Sequence, residues 1–140
     1  MSDKSQMPGA RSARYWIGWA MSGLVIAFML MDATMKLLAL PIVIQTSGAL
    51  GFQGADMARE LGVILLICTV LYVAPQTAVL GAVLLTAYLG GAVASHVRVG
   101  NPLFSHVLFG VYLGVLLWGG LWLRDPRVRA LIPLRARGGA

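Results

Sequence analysis

The sequence is poor in charged residues and contains a single cysteine. Only 11% of its 140 residues are Asp, Glu, Lys or Arg, whereas 59% are hydrophobic. A soluble domain has about 25% charged residues, so this chain has too few of them to cover a surface that faces water. The lone Cys68 excludes an internal disulfide and a CxxC redox pair. The sequence also lacks a nucleophile–base signature, a glycine-rich phosphate loop and a haem motif.

The few charged residues are unevenly distributed along the chain. The net charge is +6, and most of the basic residues lie in the two tails, next to apolar segments. Basic residues in such positions are typical of membrane proteins, where they set the orientation and contact anionic lipid headgroups. We therefore expect the lipid bilayer to be a partner of this chain, and we expect no nucleic acid.

Four apolar segments are long enough to form transmembrane helices, which need roughly 20 residues for a bilayer core of about 30 Å. The predicted helices cover about residues 15–40, 57–74, 77–98 and 103–123. The first segment is too long for a signal peptide, and no small-x-small cleavage site follows it. The connection after Pro41 has mixed composition, and we expect a short interfacial helix near Leu40 to Gln45.

These helices predict an all-α fold, namely an integral membrane four-helix bundle with antiparallel up-down order. The membrane domain spans residues 15–125, between a disordered basic tail (1–14) and a basic cytoplasmic tail (126–140). An even number of spans places the N and C termini on the same side. The positive-inside rule makes that side the cytoplasm.

This topology collects polar residues from all four helices in the outer half of the bundle. The candidates for a polar pocket are Asp32, Lys36, Glu60, Tyr88, His96, Arg98 and His106. Ionisable residues inside a membrane are costly and usually face the protein interior. The alternative remains open that charges cluster at helix ends because lipid tolerates them there. Asp32 and Lys36, four residues apart on one helix face, also fit a simple helix-end salt bridge.

The histidines His96 and His106 allow two further interpretations. Imidazole titrates near neutral pH, so a proton-handling role fits either residue. Both are also metal ligands by type, together with Asp32 or Glu60, but the two histidines are not at a tight ligand spacing. We therefore predict no metal site. No cofactor and no catalytic residue is assigned.

Small residues indicate two helix faces that can pack closely. The third predicted helix carries Ala87, Gly91 and Ser95 at intervals of four residues, and the fourth carries Gly110 and Gly114. Such spacing lets helix backbones approach each other. The neighbour on these faces is another helix of this chain, a membrane partner protein or a second copy of the chain.

Three stretches resemble the DoxX-like family of small four-helix bacterial membrane proteins. They are AMSGLVIAFMLMDATMKLL (20–38), AVLLTAYLGGAVASHVRVG (82–100) and WGGLWLRDPRVRALIP (118–133). The resemblance implies four transmembrane helices and a multi-pass protein of the bacterial inner membrane. Relatives are linked to membrane redox systems, including subunits of quinone-reducing enzymes. Many carry an acidic residue inside the second helix, where this chain has Leu65. Glu60 is the acid nearest to this position in the sequence.

Three functions are compatible with these features, and the family leaves the activity unassigned. The first is an accessory or partner-binding subunit, linked to membrane redox or stress functions. The second is a membrane enzyme or redox module that binds a quinone or lipid-like ligand in the outer polar pocket. The third is a small proton-coupled transporter, although the sequence has no obvious repeat for alternating access.

Overall fold

The computed structural model describes residues 12–132, and every regular element in this range is helical. The elements are α1 (Ala13–Leu37), α2 (Pro41–Ala49), α3 (Ala55–Val73), α4 (Ala78–Arg98), a π-helical turn (Leu103–Val107), α5 (Phe109–Arg124) and α6 (Pro126–Leu131). The all-α prediction is therefore confirmed for this range. The outer parts of the two predicted tails, residues 1–11 and 133–140, lie outside the described residues.

Proline and glycine separate the helices. Pro41 occupies the first turn of α2, where its missing N–H costs no hydrogen bond. Gly54 precedes α3 with a φ of 91°, which favours glycine. Pro126 begins α6, and the side chain of Asp125 caps that helix by accepting a hydrogen bond from the backbone N–H of Arg127. The interfacial helix expected near residues 40–45 extends to Ala49 as α2.

Three helical segments are long and apolar enough to cross a membrane, namely Ala13–Leu37, Ala78–Arg98 and Leu103–Arg124. The second predicted span, α3, is not among them. Its first six residues include the charged Asp56, Arg59 and Glu60. A multi-pass membrane protein is therefore supported, whereas four crossings stay a prediction.

The four long helices form a ring in which each helix contacts two neighbours. α1 contacts α3 and α5, and α4 contacts the same two helices, so α1 and α4 lie on opposite sides of the core. Large apolar side chains fill that core, including the fully buried Val25, Leu65, Leu85 and Leu117. Cys68 lies in the same core, as a small apolar residue would.

The two ends of this helical unit differ. We call the end that carries the C-terminal turns of α1 and α4 the α2 end, because α2 lies there, and the opposite end the α6 end. At the α6 end the helices approach closely through glycine. A Cβ atom at Gly18 of α1 would lie 2.8 Å from the carbonyl oxygen of Gly120 on α5, and a Cβ atom at Gly81 of α4 would overlap the backbone of Tyr72 on α3.

A buried hydroxyl group joins three helices at the α6 end. The Tyr72 hydroxyl donates a hydrogen bond to the carbonyl oxygen of Leu117 on α5 over 2.8 Å, and it lies 2.9 Å from Ser22 Oγ on α1. Arg124 Nε donates to the same Ser22 Oγ over 3.0 Å. The Arg124 guanidinium also stacks over Trp19, 4.2 Å from the ring centre. The α6 end is thus closed by both close packing and hydrogen bonds.

We expect Gly81→Ala to destabilise the protein by about 1–3 kcal/mol, because the added methyl group meets backbone atoms of Tyr72 that cannot move independently. The matched control is Gly90→Ala on the same helix, where a Cβ atom has no neighbour within 4 Å among the described residues. Alanine is the better helix former, so this control should unfold at the same denaturant concentration as wild type or a higher one. Equilibrium unfolding in detergent micelles measures both variants. A Gly81→Ala midpoint equal to that of wild type would contradict the described packing of α3 on α4.

Candidate functional site

A partly enclosed cavity of about 740 Å³ lies at the α2 end. Its walls come from the second half of α1, the second half of α4 and the beginning of α5, and α2 with its following turn covers one side. α1 and α4 lie on opposite sides of the core, with α3 and α5 between them. The cavity occupies the space between these two helices at the α2 end. Packed side chains fill the corresponding space at the α6 end.

The cavity is apolar in its depth and polar towards the α2 end. Phe28 on α1 and Leu113 on α5 line its deep part. Lys36 lies eight residues from Phe28 towards the α2 end, and His106 lies seven residues from Leu113 in the same direction. At 1.5 Å per helical residue, these separations correspond to about 10–12 Å along the helix axes. The cavity therefore has the dimensions and the polarity gradient of a site for an amphipathic molecule.

Asp32 and Lys36 form an ion pair on the α1 wall. Their spacing of four residues with the acid first is the favourable order on a helix. The Lys36 side chain is largely buried, with 14% exposure, because Gly62 of α3 lets the two helices approach at this point. The pair therefore presents hydrogen-bonding groups to the cavity and no net charge.

The two histidines contact each other at the α2 end. Their ring centres are 5.7 Å apart, in an edge-to-face arrangement. His96 Nδ1 lies 2.7 Å from the side-chain nitrogen of Asn101, and His106 Nδ1 lies 2.7 Å from Ser105 Oγ. Each ring is thus oriented through its Nδ1 atom by a residue of the α4–α5 connection.

The structure brings together five of the seven candidate pocket residues. The cavity is lined by Asp32, Lys36, Tyr88, His96 and His106. Glu60 is exposed at the start of α3 and does not line the cavity. Arg98 is also exposed and donates a hydrogen bond to the carbonyl oxygen of Leu50, which holds the turn after α2 against the end of α4. Leu65 is fully buried in the core.

The small residues of α4 also line this cavity. Ala87, Gly91 and Ser95 all belong to its wall, and a Cβ atom at Gly91 would have no neighbour within 4 Å among the described residues. Within residues 12–132 this face therefore borders open space. Gly110 lies close to α4, because a Cβ atom added to it would be 2.8 Å from Val93 Cγ2. A Cβ atom added to Gly114 would have no neighbour within 4 Å among the described residues.

Several residues of the cavity are not among the predicted pocket residues. Thr46 and Ser47 reach it from α2, and Asn101 reaches it from the turn that follows α4. Asn101 lies in a Gly-Asn-Pro turn, which explains its residue type without any site. The one sequence feature that indicates a contact is that Asn101 follows His96 by five residues, just beyond the end of α4. Among the described residues, no group of three or more His, Cys, Asp and Glu side chains is arranged to hold a metal ion.

Comparison with known proteins gives one family. The sequence model of the DoxX-like family matches residues 20–120 of this chain. The matched range includes every residue that lines the cavity. The chain has no match among curated proteins or among solved structures.

Proposed function

The chain belongs to the DoxX-like family, and from this premise and the cavity at the α2 end we propose that it is a membrane protein that binds a small amphipathic molecule. The proposal rests on the polarity gradient of the cavity. A quinone or a lipid-like molecule has the required form, with a polar head and an apolar body. The link to membrane redox systems that the family resemblance implies is consistent with a quinone.

The size of the cavity supports a small-molecule ligand. Binding sites for such molecules usually have volumes of about 300–1,000 Å³ and combine apolar walls with a few polar groups. Here the apolar walls come from Phe28, Leu113 and their neighbours. Polar groups from four separate segments converge at one end of the cavity.

The histidines are the groups that we assign to the polar head of the ligand. His96 and His106 have their Nδ1 atoms next to Asn101 and Ser105, which leaves the Nε2 atoms as the groups available to a ligand. Each imidazole can donate or accept a hydrogen bond at this atom, depending on its tautomer. The Asp32–Lys36 pair faces the same space and offers both a donor and an acceptor.

A second candidate function, an accessory subunit that binds a partner protein, is favoured by a different observation. Gly90 and Gly114 lie on helix faces where a Cβ atom has no neighbour within 4 Å in the described part of the chain. Glycine costs helix stability unless another backbone needs to approach. A partner helix or a second copy of the chain would provide that approach.

We further propose an orientation in the bacterial inner membrane with four crossings and both termini in the cytoplasm. Among residues 12–132, the α6 end carries four basic residues, Arg14, Arg124, Arg127 and Arg129, and one acid, Asp125. At the α2 end, the three basic residues Lys36, Arg59 and Arg98 are matched by the three acids Asp32, Asp56 and Glu60. The positive-inside rule therefore favours the α6 end as cytoplasmic.

Native mass spectrometry of the protein purified gently from its own membranes tests the ligand. We expect wild type to carry an additional small-molecule mass that Gly91→Leu lacks, because the leucine side chain enters the cavity. The matched control is Gly90→Leu, which changes the neighbouring residue on the same helix but does not line the cavity. Wild type without any bound mass, or all three proteins with the same one, would refute ligand binding in this cavity.

Cysteine labelling in intact cells tests the orientation. In a Cys68→Ala background, Gln53→Cys lies in the exposed connection at the α2 end and Gln76→Cys lies in the exposed turn between α3 and α4. We expect a membrane-impermeant maleimide to label only the first in intact cells, and both after the membranes are opened. Labelling of both in intact cells would mean that α3 does not cross the membrane.

A further inference from the structure

A groove at the α6 end is lined by three arginine residues. It has a volume of about 390 Å³ and lies between the start of α1 and the end of α5, on the opposite end of the molecule from the cavity described above. Arg14 reaches it from α1, Arg124 from α5 and Arg129 from α6, together with Ser12. None of the described residues that line it is acidic.

The charge of these three arginines is not balanced by ion pairs. Within residues 12–132, the ion pairs are Asp32–Lys36, Asp56–Arg59 and Asp125–Arg127, and none of them involves a groove arginine. Asp125 is the acid nearest to them in sequence, and it is engaged by Arg127. Burial raises the pKa of Asp125, but the hydrogen bonds from Arg127 and the charges of Arg127 and Arg124 outweigh this effect and keep the pKa below its usual value.

The groove arginines are held in position by the fold. Arg129 donates hydrogen bonds of 3.0 and 2.8 Å to the carbonyl oxygens of Trp122 and Leu123, which end α5. Arg124 is fixed by Ser22 and Trp19, and its Nη2 atom is buried without a hydrogen-bond partner among the described residues. An anion in the groove would be attracted by these two fixed positive charges.

The start of α1 adds to the positive potential of the groove. The Ser12 side chain makes no capping hydrogen bond, and the first turn of α1 contains no acidic residue. The N-terminus of a helix carries a partial positive charge and free N–H groups. Arg14 is exposed and forms no ion pair in the described chain, so its guanidinium is free to bind a ligand.

We propose that this groove binds a phosphate group. Guanidinium groups bind phosphate oxygens in pairs of parallel hydrogen bonds, and arginine suits this role better than lysine. The groove lies at the ends of two membrane-span-capable helices, where the phosphates of a lipid bilayer are found. A phospholipid headgroup and a soluble phosphate offer the same chemistry.

The test uses the full chain in detergent micelles and measures its thermal unfolding midpoint. The probes are short-chain dihexanoyl phosphatidylglycerol and sodium phosphate, each compared with sodium chloride at equal ionic strength. We expect a phosphate-bearing probe to raise the midpoint of wild type. In Arg14→Gln, about tenfold more of the probe should be needed for the same rise, because charge-assisted hydrogen bonds are lost.

The matched control is Arg59→Gln, which removes the same charge from the exposed start of α3, at the opposite end of the molecule from the groove. Its response should stay within about twofold of wild type, because the phosphate contacts in the groove remain. Stabilisation by the lipid alone identifies a headgroup as the source, and equal stabilisation by sodium phosphate identifies a soluble phosphate. No stabilisation by either probe, or equal losses in Arg14→Gln and Arg59→Gln, would overturn the proposal.

Discussion

The Tyr72 hydroxyl is the polar contact on which the arrangement of the helices depends. In lipid, the hydrophobic effect does not drive helices together, so packing and hydrogen bonds between helices must hold them. Tyr72 belongs to α3, and its hydroxyl contacts Ser22 on α1 and the backbone of Leu117 on α5. Gly81 lets the fourth long helix, α4, approach the backbone of the same residue. All four long helices therefore meet around Tyr72 near the α6 end.

Closure at one end leaves the other end free to enclose a cavity. At the α6 end, Gly18 and Gly120 bring α1 and α5 into backbone contact. At the α2 end, α1 and α4 stand apart, and α2 covers part of the space between them. Polar side chains are tolerated there because they pair with one another, as Asp32 does with Lys36 and His96 does with Asn101. The same molecule thus combines a rigid end with an end that can accept a ligand.

The helices and much of the candidate site could be predicted from the sequence. Long apolar segments and the Pro and Gly residues between them define the helices, because a membrane requires about 20 apolar residues for each crossing. Asp32, His96 and His106 were recognised because ionisable residues stand out in apolar segments. The helix direction then places them near one end.

Other features could not be predicted, because a sequence pattern identifies a helix face but not its neighbour. Small residues at intervals of four look the same whether they border a helix or a cavity, and Gly91 borders the cavity. Glu60 and Asp32 are both acids near helix ends in the sequence. Whether each side chain faces the cavity depends on how its helix packs. Ser22, Tyr72 and Arg124 are far apart in sequence, so their network emerges only from the fold.

The most direct test of the proposed ligand site is an experimental map of the cavity. Electron cryomicroscopy of the protein, purified from its own membranes and enlarged with a rigid binding protein, would resolve this region. We expect elongated non-protein density between α1 and α4, with its polar end beside His96 and His106 and its apolar end beside Phe28 and Leu113. A cavity that contains only water, or α1 and α4 packed directly against each other at the α2 end, would contradict it.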